Sequence, residues 1–150
     1  MSDSSARLQR FAEAQAPVWD QVLRELRAGR KRSHWMWFVF PQLLGLGHSP
    51  TAQFYALASI DEAEAYLREP PLGARLRECT RLVNEIQGRA TGEIFGYPDE
   101  LKFHSCMTLF ARVATAGEAS AENQVFRAAL EMHFGGREDP RTLELLGQQG

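Results

Sequence analysis

Two stretches of this chain gather side chains that can do chemistry. The first is Lys31-Arg32-Ser33-His34-Trp35-Met36-Trp37-Phe38-Val39-Phe40-Pro41-Gln42, where aromatics fill four of twelve positions against 10% of the whole chain. Large rings beside basic residues and a histidine can build a stacking wall for a planar ligand, with Arg or Lys on a phosphate. In that reading Trp35 or Trp37 stacks a base, Arg32 or Lys102 meets phosphate and Gln42 joins the ligand-binding set. His34, at the polar start of the segment, is then a candidate catalytic group. The competing reading makes Trp35, Phe38 and Phe40 core plugs and satisfies His34 with one hydrogen bond.

The second stretch runs from Phe95 to Thr108. A helix starting near Pro98 places Asp99, Lys102 and Ser105/Cys106 on adjacent turns of one side, so a carboxylate, an ammonium and a hydroxyl project together. Asp99 is the second candidate catalytic group, activating water or holding a ribose hydroxyl. Lys102 and Ser105 are candidate ligand-binding residues. Against this stands an exposed i,i+3 ion pair, with Ser105 and Thr108 bonding back to the preceding helical turn. The two stretches hold the densest mixtures of rings and polar groups, and both kinds of group need burial with partners. The expectation is that His34, Trp35 and Trp37 lie near Lys102 and Ser105.

A third stretch, Gly45-Leu46-Gly47-His48-Ser49-Pro50, sets two glycines ahead of a capped helix, as phosphate-binding loops do. Its spacing matches neither the Rossmann nor the P-loop pattern, and a loop that needs glycine dihedrals accounts for it better. The four histidines, His34, His48, His104 and His133, show no metal-ligand spacing. There is no GxSxG elbow, and Cys79 and Cys106 form no CxxC, so reduced buried thiols are expected. No motif implies a cofactor.

The elements that must position these residues read as helices. Pro17 opens an apolar face of Val18, Trp19, Val22, Leu23 and Leu26, which Gly29 stops with Arg30-Lys31-Arg32 at the negative dipole end. Ser33 is expected to cap a short turn before Pro41. Ser49-Pro50 opens a helix through Phe54, Tyr55 and Leu57, and Ser59 with Glu62 has capping-box spacing. After Pro70-Pro71 a long helix runs from Leu72 to Ile86, ending at Gly88. Gly88 to Tyr97 reads as a loop with one buried turn at Ile94-Phe95. Pro98 opens the next helix, through Val113, and Gly117 to Ser120 is a polar linker. A helical face from Val125 to Phe134 is stopped by Gly135-Gly136, and Asp139 caps a closing helix. The one β-like candidate, Trp37 to Phe40, lacks alternation.

These elements predict an all-α single domain of six to seven helices in an irregular bundle. The chain has 150 residues, 44% hydrophobic and 24% charged, with a formal charge of -2. That balance excludes disorder and a disulfide scaffold, and argues against nucleic-acid binding by bulk charge. No apolar run is long enough to span a bilayer and no secretory leader is visible, so a cytoplasmic protein is expected.

Ser33 to Leu43 (Ser-His-Trp-Met-Trp-Phe-Val-Phe-Pro-Gln-Leu), followed by Gly45-Leu46-Gly47, resembles the bacterial family catalogued as domain of unknown function 1810. Some of its members carry the label calpastatin. Further matches are Ala63 to Leu67, Leu72-Gly73, Ile94-Phe95-Gly96, Pro98-Asp99, Lys102, Met107 to Phe110, Asp139 and Thr142-Leu143. The resemblance spans about residues 7 to 146. Cys106 departs from it, standing where the family pattern has a second serine. The resemblance implies a single all-α domain and brings no activity. A fainter similarity is to domains that hydrolyse N-glycosidic bonds of NAD- and ADP-ribose-related molecules, with no residue-by-residue match. The expected function is therefore binding or hydrolysis of a nucleotide-like small molecule in an aromatic-polar pocket. The alternative is a protein-protein interaction module that presents exposed aromatics.

Overall fold

A computed structural model describes residues 3–116 and 120–149, so most of the linker after Val113 lies outside the described residues. The chain runs α1 (Asp3–Gln15), a 3-10 turn (Ala16–Val18), α2 (Trp19–Arg27), α3 (Met36–Val39) and α4 (Pro50–Phe54). It continues α5 (Ile60–Arg68), α6 (Pro70–Glu85), α7 (Thr91–Phe95) and α8 (Asp99–Ala116). A second 3-10 turn (Ala121–Gln124), α9 (Val125–Phe134) and α10 (Pro140–Gln149) complete it. Among the described residues there is no strand, only an isolated parallel bridge between Leu43 and Leu57. The all-α reading holds; three single-turn helices, α3, α4 and α7, take the count above six to seven.

The axis of the core is α8, packed against α5, α7, α9 and α10. Phe103, Cys106, Met107, Leu109, Phe110 and Val113 are all fully buried, so α8 is apolar around nearly its whole circumference, as a central helix must be. Phe103 joins Phe40 and Phe95 in a ring cluster, with centroids 5.1 and 4.7 Å away. This cluster carries the aromatic segment of α3 onto α8.

Local chemistry sets most of the boundaries. Ser49 Oγ accepts the Ala52 N–H at 3.1 Å and Ser59 Oγ accepts that of Glu62 at 3.2 Å. The reciprocal half of the capping box reaches one residue further than expected, because the Glu62 carboxylate takes the N–H of Ala58 at 2.8 Å. Gly135, at φ +62°, ends α9 in the left-handed conformation that side chains resist. Where α5 turns into α6, a Cβ on Gly73 would sit 2.0 Å from the Leu67 carbonyl oxygen, so only glycine permits that corner.

Four local expectations are corrected. Residues 3–15 form a helix that the sequence reading did not anticipate. Leu8, Phe11 and Gln15 bury one side of it, and the Gln15 amide donates to the Phe38 carbonyl at 2.6 Å. Pro17 lies inside the 3-10 turn, and α2 itself begins at Trp19. The β-like Trp37 to Phe40 is helical through Val39, because the buried Met36 and Val39 need a helical turn to reach the same core. Ser33 caps nothing, since its hydroxyl is drawn to Glu25 instead. Among the described residues, no helix is long and apolar enough to cross a membrane.

Candidate functional site

Glu25, 6% exposed on α2, is the hub of the first stretch. Its Oε1 accepts the N–H of Arg32 at 2.7 Å, the N–H of Ser33 at 3.1 Å and the indole N–H of Trp35 at 2.9 Å. Its Oε2 accepts from Ser33 Oγ at 2.6 Å and from Gln21 at 3.0 Å. Burial alone would raise this carboxyl, but the hydrogen bonds from Ser33, Arg32 and Gln21 outweigh it and hold it down at about 2. The hub folds the connection after α2 onto the helix. It also fixes Trp35 at 1% exposure, with the Lys31 ammonium over its ring and Phe40 beside it. In this arrangement Trp35 presents no open face on which a base could stack. Arg32 and His34 are exposed and Trp37 is half-buried.

Asp99 links the two stretches. Its Oδ2 lies 2.8 Å from Lys31 Nζ and its Oδ1 lies 3.3 Å from Lys102 Nζ. The Lys31 side chain is only 7% exposed. With both oxygens facing ammonium groups, Asp99 serves as an anchor between two lysines, and the triad carries one net positive charge.

Beyond Lys102 opens a groove of about 310 Å³, lined by Gln42, Leu46, Gly47, Pro98, Leu101, Lys102, His104, Ser105, Asp139 and Arg141. Three parts of the chain meet there. The loop after α3 supplies Gln42 and Gly47, pinned where Gln42 and Leu44 bond to Leu57 at 3.0 and 2.8 Å. The start of α8 supplies Lys102, His104 and Ser105. Asp139 and Arg141 come from the start of α10. Asp139 caps that helix, its Oδ2 accepting from the N–H and hydroxyl of Thr142 at 3.1 and 2.6 Å.

The Ser105 hydroxyl lies 3.0 Å from the same oxygen and 3.0 Å from the Leu101 carbonyl, its single proton shared between these two acceptors, and the Asp139 N–H donates to Thr108 Oγ1 at 2.8 Å. Ser105 and Thr108 therefore fasten α10 to α8, and Ser105 offers a ligand lone pairs, its one proton being engaged. His104 stacks on Phe134 at 3.9 Å and its Nε2 faces the Arg137 carbonyl at 2.8 Å. A carbonyl only accepts, so Nε2 donates in this contact and carries a hydrogen.

Of the residues expected to form a site, Gln42, Lys102 and Ser105 line this groove, and Asp99 lies directly behind Lys102. Arg32, His34, Trp35 and Trp37 do not line it. The sequence reading missed His104, Asp139 and Arg141 as groove residues. The signal lay in Ser105 and Thr108, polar residues on an apolar helix that need a partner, and in Asp139 as a cap. Among the described residues, no group of three or more His, Cys, Asp or Glu side chains is arranged to hold a metal. Cys106 is fully buried and burial pushes its thiol well above the ordinary range, which leaves it inert as a nucleophile.

No curated protein matches the chain. Among solved structures it is similar to the crystal structure of the conserved hypothetical protein Rv1873 from Mycobacterium tuberculosis, with 58% identity and a TM-score of 0.87. That match covers 93% of this chain and 96% of the other. A family model described as "Protein of unknown function (DUF1810)" matches residues 5–146, in agreement with the aromatic motif and the helical fold. The chain belongs to the DUF1810 family.

Proposed function

We propose that the groove between α8 and α10 binds a nucleotide-like small molecule. The observation that supports it is the convergence of Gln42, Lys102, Asp139 and Arg141 from separate parts of the chain on one concavity with an apolar wall of Leu46, Pro98 and Leu101. A phosphate meets Lys102 and Arg141, the Gln42 amide and the free lone pairs of Asp139 take hydroxyls, and a flat ring lies on Pro98 and Leu101. The Trp35 indole is replaced in this role, because its ring is buried behind Glu25. The volume sits at the lower end of the ~300–1,000 Å³ of small-molecule sites, which suits a mononucleotide or a ribose phosphate. Asp99 positions Lys102. For N-glycosidic hydrolysis it would have to leave a lysine and orient water instead.

The test is a thermal-shift and calorimetric panel of AMP, ribose 5-phosphate, NAD and ADP-ribose. At least one should raise Tm, and Lys102→Met or Arg141→Ala should abolish the rise while leaving the unliganded Tm within a few degrees. Product analysis on the same panel reads any base release. The proposal fails if no member binds, or if binding survives both substitutions. A protein partner seated on the exposed Tyr97 and Leu101 would then be the better reading.

A further inference from the structure

The geometry points to a second ligand site, independent of the first, that takes a phosphate group between the α2–α3 and α6–α7 connections. A concavity of about 560 Å³ opens there, with Arg30 and Lys31 on one side, Arg89 on another and Gly88, Gly92 and Gly96 around it. Three cations face one lining carboxylate, Glu93, in a chain whose formal charge is -2. Glu93, whose Oε1 accepts the Ala90 N–H at 2.9 Å, offsets one of the three charges, and the lining keeps two positive charges in excess.

Each cation is short of a counter-charge in its own way. The exposed Arg30 guanidinium has no side-chain partner among the described residues. Arg89 donates from Nη1 to the Gly29 carbonyl at 3.2 Å, a neutral acceptor that leaves its charge uncompensated. Lys31, with its side chain 7% exposed, has only Asp99, and Asp99 is shared with Lys102. Like charges gathered on a concave wall focus the field and favour an anion, and guanidinium forks match the oxygens of a phosphate. The volume exceeds one phosphate and admits a pyrophosphate or a small phosphomonoester. Sequence reading had assigned Arg30 and Lys31 to the dipole at the end of α2. The fold turns them toward Arg89, 58 residues or more further along the chain.

The experiment is a titration of the whole protein with inorganic phosphate, pyrophosphate and ribose 5-phosphate at fixed ionic strength, followed by amide NMR, with sulfate as the charge control. Saturable shifts should appear on the Gly88, Gly92 and Gly96 amides and persist in Arg141→Ala, which removes the first groove's own response at Gly47. Arg30→Ala should weaken binding at least tenfold and Arg30→Glu should abolish it, whereas Arg141→Ala, in the other groove, should leave it unchanged. Tighter binding of ribose 5-phosphate than of inorganic phosphate identifies an organic phosphate as the ligand; the reverse identifies a free inorganic one. The inference is overturned if none of the three binds, if sulfate binds equally, if the shifts are confined to Gly47 and its groove, or if Arg30→Glu leaves the shifts at Gly88, Gly92 and Gly96 intact. Failure of the first groove leaves this result standing, because the two rest on different residues.

Discussion

Glu25 with its partners and the two cation-lined grooves are made of the same materials, polar groups set beside apolar side chains, yet the fold uses them in opposite ways. At Glu25 every group turns inward: two backbone N–H groups, a hydroxyl, an amide and an indole converge on one carboxylate that is 6% exposed. At the grooves the cations stay at the surface: Lys102 shares Asp99 with Lys31, Arg141 holds Glu144 in a solvent-exposed pair, and Arg30 and Arg89 have no carboxylate partner among the described residues. A buried polar group without partners costs about 1–3 kcal/mol, so a buried cluster persists only when satisfied, and its satisfaction removes it from ligand chemistry. An open cation carries no such demand and stays available. The difference between structure and site in this molecule is therefore one of satisfaction, not of composition.

The sharpest way to break this contrast is Glu25→Ala, which strands five donors at once. It should remove about 3 kcal/mol or more, roughly 10 °C of Tm for a domain of this size, measured by urea and thermal melts. A loss below about 1 kcal/mol would mean that the cluster is not the structural centre described above. The same carboxyl gives a pH signature. Its value in the fold, about 2, lies below its ordinary 4.5, so its contribution to stability is complete above about pH 4.5 and is lost as pH falls toward 2. Glu25→Gln should flatten the stability profile across that window; an unchanged acid limb would contradict the assignment.

Asp99→Asn comes next. It leaves the buried Lys31 ammonium without its carboxylate and should lower stability by about 1–3 kcal/mol, less than Glu25→Ala because Asp99 and Lys102 are partly solvated. An unchanged or raised stability would move Asp99 from the anchoring class to the ligand class. The smallest effects belong to the grooves. Arg30→Ala and Arg141→Ala should each change stability by no more than about 0.5 kcal/mol while removing ligand-dependent shifts in their own groove only. A large loss of stability from either would erase the distinction between the two kinds of cluster.

Much of the architecture was legible because it is written in local chemistry. Ser49, Ser59 and Asp139 accept the N–H groups that helix starts leave free, and Gly135 ends α9 by a conformation that other residues resist. The α1 helix was not legible, since its start carries no apolar periodicity strong enough to see and its fit depends on Phe11 meeting Tyr55 and Tyr66 from distant elements. The candidate site was half legible. Lys102 and Ser105 stood out as polar groups on an apolar helix, but Arg141 and Arg89 looked like ordinary surface charges.

The sequence by itself determined the helical class, the caps and stops, and the family to which the chain belongs, because each of these depends on residues within a few turns of one another or on a contiguous motif. Tertiary structure alone decided which polar groups are satisfied and which remain open. Trp35 meets Glu25 ten positions away, Ser105 meets Asp139 from another helix, and Arg30 faces Arg89 across a gap that no sequence spacing encodes. Hydrogen-bond satisfaction depends on where chain segments meet in space, and that is fixed by the packing of the apolar core around α8.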